Sequence, residues 1–291
     1  MNKQPTLIFV GAHPDDETFG LGAILAQYAA SGVAVYYLCS TRGEAGTVDL
    51  LLMNGYPSIG DLRWAELTKA VKVLGLTGFF HLGYRDSGMD GSEDNKQPDA
   101  LMNAPVEEAA GRIVKYFRRI KPDVVITHDP AGGYGHPDHI ATHNATVRAF
   151  KLSGDPASYP EAGPAFQPRK LYCGLRPNRL MKLMVRLMPL FRQDPHHFGR
   201  NKDIDLTDML EIDYPIQTSV RVKNKYMKIR DEAAACHASQ IGGRPSGMGL
   251  LSLVMHIAGL FSAVFGHREY FMRLYPEVKN KKVESDLFQD L

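Results

Sequence analysis

Two short runs of the sequence contain residue types that bind metal ions and move protons. The first is AHPDDE at residues 12–17, and the second is GGYGHPDH at residues 132–139. In the first run His13 and Asp16 are three positions apart, a spacing that lets an imidazole and a carboxylate converge on one cation. Helix capping accounts for one acid of this run but not for a His-Pro-Asp-Asp-Glu sequence. We therefore interpret the first run as part of a metal site.

The second run contains further candidate ligands. An H-x-x-H pair such as His136 and His139 is a weak signal by itself, because such pairs often lie on polar helix surfaces. Combined with His13 and Asp16 it predicts three protein ligands and one open position, which is how catalytic zinc sites are built. The sequence has no H-E-x-x-H motif, so the general base must come from elsewhere. Asp15, beside the ligands, is the candidate.

The segments around both runs predict buried strands that alternate with helices. Apolar runs at 6–11 and 33–39 predict two strands, and the helical spacing between them completes a βαβ unit. Helices are expected over about 59–74 and 106–119, with a strand near 78–82 and the strand VVIT before the second run. This alternation predicts a Rossmann-like, three-layer α/β fold with a mostly parallel sheet. Ligand sites in such folds lie at the carboxyl ends of strands.

The pattern weakens in the second half of the chain. We expect a single domain with a core over 5–150 and a C-terminal elaboration over 151–291. The elaboration starts with a loop rich in Pro, Gly and Ser, followed by the strand RKLYCGL and, later, a helix near 221–239. His237 and Gln240 follow in CHASQ, and they either pack in the core or border the substrate pocket.

Composition narrows the range of partners. Lys and Arg total 34 against 32 Asp and Glu, and a net charge of +2 argues against a nucleic-acid partner. A small-molecule substrate is expected instead, and a homo-oligomer is compatible with the sequence. The three cysteines, Cys39, Cys173 and Cys236, form no C-x-x-C pair, which argues against a disulfide framework or a thiolate metal cluster. This cysteine usage and the N-terminal sequence fit a cytoplasmic protein.

Two apolar segments raise the question of membrane contact. Residues 248–266 are almost uncharged and just reach the length of a membrane span, although His256 and several Gly and Ser residues favour a buried or interfacial helix. Residues 180–192 mix basic side chains with Leu and Met, a pattern that predicts a membrane-surface contact or a mobile lid. A lipid-linked sugar therefore stays among the candidate substrates.

Together the two runs resemble the LmbE-like (PIG-L) zinc deacetylases, and the resemblance covers about residues 5–150. Within that family the chain is similar to the mycothiol-pathway deacetylase and the mycothiol S-conjugate amidase, through GGYGHPDH, RGEAG at 42–46 and RDSGM at 85–89. The resemblance implies hydrolysis of the N-acyl bond of a glucosamine-containing small molecule. The alternatives are an amidase of thiol-glucosaminyl S-conjugates, a deacetylase of lipid-linked GlcNAc, and a non-catalytic sugar- or nucleotide-binding module. GAHPDD lacks the G-x-G-x-x-G of dinucleotide sites, which argues against the last.

Family likeness also assigns roles to individual residues. It implies three metal ligands, which are His13, Asp16 and His139. The expected ion is Zn²⁺, although the same donor types accept Fe²⁺ or Co²⁺. Asp15 is implied to be the general base, while a protonated His136 and Tyr134 face the developing oxyanion. Asp138 is implied to orient His136.

The same likeness predicts the substrate-binding residues. Arg63 and Asp86 would contact sugar hydroxyls, and Glu44 would lie near the pocket. Each of the three is otherwise a surface or loop charge. The leaving amine needs a proton, and the sequence leaves both Asp15 and His136 as its source.

Overall fold

The computed structural model describes residues 3–175, 179–191, 193–197, 205–207, 213–241, 266–278 and 283–291. The apolar segment 248–266 lies outside these residues, except for Gly266. Within the described ranges, no helix is long and apolar enough to cross a membrane.

A seven-stranded sheet forms the centre of the molecule. Its strands are β1 (Thr6–Gly11), β2 (Ala34–Cys39), β3 (Gly78–His81), β4 (Val124–Thr127), β5 (Lys170–Leu175), β6 (Thr218–Val222) and β7 (His267–Tyr275). The spatial order is β3-β2-β1-β4-β5-β7-β6. The first five strands pair in parallel, whereas β7 pairs antiparallel with both β5 and β6. The predicted α/β fold with a mostly parallel sheet is confirmed, and β6 and β7 add an antiparallel edge.

Eight α-helical segments accompany the sheet in the described residues. They are α1 (Gly22–Ala30), α2 (Ile59–Leu74), α3 (Val106–Ile120), α4 (Gly132–Gly135), α5 (Pro137–Leu152), α6 (Arg179–Leu187), α7 (Asn224–Cys236) and α8 (Ala238–Ile241). A π-helical turn covers Asp16–Gly20, and short 3-10 turns cover Leu50–Met53, Glu93–Lys96, Leu101–Asn103, Pro160–Ala162 and Met188–Phe191. The predicted helix near 221–239 is shorter than expected, because residues 218–222 form β6.

Local sequence explains why α2 occupies its predicted range. Ser58 caps its N-terminus, since the Ser58 hydroxyl accepts a hydrogen bond from the Asp61 N–H at 3.1 Å. Gly75 ends the helix in the left-handed conformation with φ 71°, which a glycine adopts without strain. These two signals fix the helix that carries Arg63.

Hydrophobic cores on both faces hold the sheet. One core packs α1, α2 and α7 against the sheet and includes Leu25, Tyr37 and Leu67. The other packs α3 and α5 and includes Ile113 and Phe117. Each such side chain contributes about 1.5–3 kcal/mol through burial. Helix α7 belongs to the first core and packs against the π-helical turn that follows β1.

Candidate metal centre and active site

The two motif runs meet at the carboxyl edge of the sheet, between β1 and β4. The first run follows β1 directly, and the second follows β4 and enters α5. These strands are neighbours, and the chain continues from β1 toward β2 on one side and from β4 toward β5 on the other. Such a switch point leaves a crevice at the strand ends where α/β proteins bind ligands.

The three predicted metal ligands converge in this crevice. His13 Nδ1 lies 3.3 Å from His139 Nε2, and His139 Nε2 lies 3.5 Å from Asp16 Oδ1. His13 Nδ1 is 4.0 Å from Asp16 Oδ2. Tetrahedral ligands about 2.1 Å from a zinc ion are separated by about 3.4 Å. The distances from His139 Nε2 to His13 and to Asp16 match that separation. Among the described residues, the sets of three donors within reach of one ion are His13–His136–His139, Asp16–His128–His139 and His13–Asp86–Asp138.

The carboxylate of Asp16 is oriented by the surrounding backbone. Its Oδ2 accepts hydrogen bonds from the N–H groups of Ala12 and His13, both at 2.9 Å, and lies 3.2 Å from His128 Nε2. Burial raises the pKa of Asp16, but the charges of His139 and His128 outweigh it and hold the pKa well below its usual value. Asp16 is thus ionised, with Oδ1 directed toward His139.

His13 is held from behind by two carboxylates. Its Nε2 lies 3.2 Å from Asp138 Oδ2 and 3.6 Å from Asp86 Oδ1. Burial lowers the pKa of His13, but Asp86 and Asp138 outweigh it, so the pKa is raised well above the usual value. In the neutral ring, an Nε2–H donated to Asp138 leaves the lone pair of Nδ1 facing His139, where a metal ion would replace the second proton.

Asp138, which the resemblance implied orients His136, contacts His136 through its backbone and His13 through its carboxylate. That carboxylate contacts His13 and the Ser87 hydroxyl, and it accepts the Ser87 N–H at 2.9 Å. The contact with His136 is made by the backbone N–H of Asp138, which donates to His136 Nδ1 at 3.2 Å. His136 caps α5, and Pro137 follows at the first helical position.

The surroundings of His136 favour its neutral form, whereas the family resemblance implied a protonated ring. Burial and the charge of His13 lower the pKa of His136 to about 3. Because Nδ1 accepts a hydrogen bond, the ring proton of the neutral form lies on Nε2. His136 can therefore donate one N–H while staying uncharged.

Tyr134 lies beside both histidines of the second run. Its ring meets His136 and His139 edge-on, with ring centroids 5.9 and 5.4 Å apart. The chain turns just before Tyr134, where Gly133 adopts φ 70°, a conformation that glycine reaches without strain. Burial, reinforced by Asp16 and Asp15, raises the pKa of Tyr134, so the hydroxyl keeps its proton.

Asp15 adopts an unusual backbone conformation. Its φ is 144° and its ψ is −25°, and such strain costs about 1–3 kcal/mol in a non-glycine residue. The Asp15 carbonyl accepts hydrogen bonds from the N–H groups of Thr18 at 2.9 Å and Phe19 at 2.8 Å. Burial raises the pKa of Asp15 to about 6, although the charge of Arg63 opposes the rise. Strain and a displaced pKa together are typical of a catalytic residue.

The residues expected to bind sugar make contacts with the protein itself. Arg63 is 4% exposed and donates to the Gly43 and Pro14 carbonyls at 3.0 and 3.1 Å and to Asp15 Oδ2 at 3.0 Å. Asp86 is 3% exposed. Its N–H donates to Glu44 Oε2 at 3.0 Å. In these contacts Arg63 fixes the Asp15 side chain, and Glu44 fixes the loop that carries Asp86.

Sequence reasoning missed two contributors to the site. His128 directly follows β4, and its ring stacks on His139 with centroids 3.9 Å apart. Its position at the carboxyl end of a buried strand was the available signal. Glu17, the last residue of the first run, pairs with His237, and both side chains are fully buried. The burial of His237 favours the core-packing alternative over a place at the border of the substrate pocket.

Comparisons with known proteins identify the class of this chain. The family model for GlcNAc-PI de-N-acetylase (PIG-L) matches residues 8–150. The 1D-myo-inositol 2-acetamido-2-deoxy-alpha-D-glucopyranoside deacetylase of Geodermatophilus obscurus is 36% identical over 251 residues, covering 83% of this chain and 84% of that protein. A relative of the same description from Catenulispora acidiphila is 33% identical, covering 98% and 89% respectively.

The chain belongs to the PIG-L family of de-N-acetylases. It is accordingly a hydrolase that cleaves a carbon–nitrogen bond other than a peptide bond, and not a non-catalytic binding module. The family is metal-dependent, and groups of His and Asp that could hold an ion lie at the site described above.

Solved structures show the same fold at low sequence identity. N,N'-diacetylchitobiose deacetylase from Pyrococcus horikoshii superposes with a TM-score of 0.61 at 19% identity, covering 92% of this chain and 83% of that chain. A deacetylase from teicoplanin biosynthesis gives 0.57 at 18% identity, with 94% and 100% covered. The 4-carboxy-2-hydroxymuconate hydratase of Pseudomonas putida also gives 0.57, at 16% identity, with 96% and 100% covered. The fold alone therefore does not fix the reaction.

Proposed function

We propose that this protein removes the acetyl group from an N-acetylglucosamine unit of a small molecule, with N-acetylglucosaminyl-inositol as the first candidate substrate. The names of the relatives from G. obscurus and C. acidiphila support this substrate class. The observation that carries the proposal is the convergence of His13, Asp16 and His139 donor atoms beside Asp15. Amide hydrolysis needs an activated water, a base and a stabilised oxyanion, and the crevice has groups for each.

Zinc is the proposed ion, and His13 Nδ1, Asp16 Oδ1 and His139 Nε2 are its proposed ligands. A zinc ion with one open position lowers the pKa of a bound water to about 7 and polarises a carbonyl. Asp16 Oδ2 is already bonded to backbone N–H groups, so Oδ1 is the oxygen available for coordination. His13 resembles metal-bound histidines whose second nitrogen donates to a carboxylate.

Asp15 is the proposed general base. With a pKa raised to about 6 it is largely ionised at neutral pH, yet it is basic enough to hold the proton taken from the attacking water. The same carboxylic acid can then protonate the leaving amine. We assign that step to Asp15, because the pKa of His136, lowered to about 3, leaves that ring without a second proton.

His136 and Tyr134 are proposed to donate to the oxyanion that forms at the former carbonyl oxygen. The Nε2–H of neutral His136 and the protonated Tyr134 hydroxyl are both hydrogen-bond donors. Removing one such donor typically costs about 3–4 kcal/mol of transition-state stabilisation. A neutral donor suits this place, since a positive ring would be repelled by a zinc ion held by the neighbouring His13 and His139.

The test is release of acetate and free amine from N-acetylglucosaminyl-inositol by the purified, metal-replete protein. A cysteinyl-glucosamine conjugate assayed in parallel distinguishes the deacetylase from the S-conjugate amidase. In Asp15→Asn we expect the metal content of the wild type and loss of most turnover, about 10²- to 10⁴-fold. Near wild-type turnover in a metal-replete Asp15→Asn sample would remove Asp15 from the base role.

We also propose that α6 and the 3-10 turn that follows it, Met188–Phe191, contact a membrane surface, which bears on a lipid-linked substrate. Leu183, Leu187 and Leu190 are 54%, 37% and 76% exposed, and the neighbouring Arg186 is exposed as well. Exposed leucines with a basic residue fit an interfacial segment on anionic lipid. Co-sedimentation with phosphatidylserine vesicles, compared with phosphatidylcholine vesicles, tests this contact. Binding that is unchanged in Leu190→Glu would place the contact elsewhere.

A further inference from the structure

A buried acid–histidine pair lies beside the candidate site but outside its ligand set. Glu17 and His237 are both 0% exposed, and His237 Nε2 lies 2.8 Å from Glu17 Oε1. The pair joins the first motif run to the C-terminal end of α7, across 220 positions of sequence. Apolar side chains of similar volume would often stabilise such a buried position at least as well. The pair therefore calls for an explanation beyond packing.

The second oxygen of Glu17 supplies that explanation. Glu17 Oε2 accepts a hydrogen bond from the Asp15 N–H at 2.9 Å. Asp15 is the residue with φ 144°, and strained conformations persist only where the surroundings impose them. Glu17 Oε1 is meanwhile fixed by His237 and by the Thr18 hydroxyl, which donates at 2.5 Å. One oxygen anchors the carboxylate, and the other holds the backbone of the proposed base.

Helix α2 completes the arrangement from the other side. Arg63 donates to the Asp15 side chain at 3.0 Å. Glu66, later on the same helix, accepts from the Ser239 N–H at 2.8 Å and the Ser239 hydroxyl at 2.6 Å. Ser239 is two residues beyond His237, so α2 is bonded both to Asp15 and to the segment that positions Glu17. The backbone and side chain of Asp15 are thus fixed by one connected set of buried polar contacts.

We propose that the Glu17–His237 pair positions Asp15 for proton transfer, so that the C-terminal end of α7 serves the reaction through Glu17. The inference rests on the proposed role of Asp15 as general base. His237 is a positioning residue, because it is fully buried and reaches Asp15 only through Glu17. Without the His237 contact the Glu17 carboxylate can rotate away from the Asp15 N–H, and the base leaves its productive geometry.

The first experiment compares three variants of the full-length, metal-replete enzyme. His237→Leu removes the contact to Glu17, and we expect kcat to fall about 10- to 100-fold with KM and metal content unchanged. His237→Gln places an amide N–H near the former Nε2 and should restore most of kcat. Tyr172→Phe is the control, because it deletes a buried hydroxyl that donates to Glu284 at 2.8 Å, and it should lower stability but not kcat.

The second experiment combines His237→Leu with Asp15→Asn. If His237 acts through Asp15, its substitution has no further effect on kcat once the base is gone. The same fold loss in both backgrounds overturns the inference, as does a loss of kcat that follows a loss of metal or of folded protein. Wild-type kcat in His237→Leu overturns the inference alone. Wild-type kcat in Asp15→Asn removes the base role on which the inference rests. Failure of the wild-type enzyme to release acetate overturns the proposed function, so the failures are distinguishable.

Discussion

Replacing Arg63 by Gln tests whether this residue sets the pKa of the proposed base. The Arg63 guanidinium lies 3.0 Å from the Asp15 carboxylate, and the two side chains are 5% and 20% exposed. Burial raises the pKa of Asp15 to about 6, and the positive charge of Arg63 opposes that rise. Arg63→Gln removes the opposing charge, so the pKa of Asp15 should rise further.

The contact geometry gives the size of the effect. Two unit charges about 4 Å apart near a protein surface interact by about 4 kcal/mol. Since one pKa unit corresponds to about 1.4 kcal/mol, the upper bound of the rise is about 3 pKa units. One fifth of the Asp15 side chain reaches solvent, which weakens the interaction. We therefore expect a rise of about 1 to 2 pKa units.

The assay is the pH dependence of kcat/KM, whose acid limb reports the pKa of the base in the free enzyme. Ionised Asp15 is the active form, so a higher pKa of Asp15 moves the acid limb to higher pH. The kcat/KM that Arg63→Gln loses at neutral pH should be recovered when the pH is raised. Arg63→Lys keeps the charge and should move the limb less. An Arg63→Gln enzyme with a raised KM and an unmoved acid limb would refute the reasoning and favour the predicted sugar contact.

Three further predictions concern the metal, the oxyanion and folding. His139→Ala should lose bound metal, as elemental analysis of the purified protein would show; full occupancy would exclude it as a ligand. His136→Ala should retain metal but lose about 10²- to 10³-fold in kcat, with the acid limb of the pH profile unmoved. Glu284 is buried and its pKa is lowered, because Lys170, Tyr172 and Thr218 together outweigh burial. Ionised Glu284 therefore stabilises the folded protein above about pH 4.3, and this stabilisation is lost as the pH falls. In Glu284→Gln the free energy of unfolding should depend less on pH in the acid range than it does in the wild type.

The N-terminal half of the fold was predictable because its signals are local. Strands β1 and β4 are continuous apolar runs that are buried throughout, and α2 has a serine cap and a terminal glycine. Strands β6 and β7 were not predicted. Both are only partly buried, and each pairs antiparallel at the edge of the sheet, so their positions depend on tertiary contacts.

The candidate site was predictable as a set of residue types but not as a set of contacts. The ligand types and their place after two strands followed from the two motif runs. Which neighbour each polar group meets depends on side-chain placement within a few ångströms. For that reason the contact of Asp138 with His13 and the contact of Arg63 with Asp15 were not predicted. The predicted contact of Arg63 with sugar stays a prediction. The Glu17–His237 pair spans 220 positions, and no local pattern indicates it.

The pairing of β1 with β4 has a consequence for how the protein acquires its metal. His13 and His139 are 126 positions apart, and they meet only when these two strands lie side by side. An unfolded or partly synthesised chain therefore offers no complete chelate, and metal capture follows assembly of the sheet. A cation held by the proposed ligands would link β1 to β4 across the switch point. The thermal midpoint should then rise with free metal concentration and fall when a chelator is added.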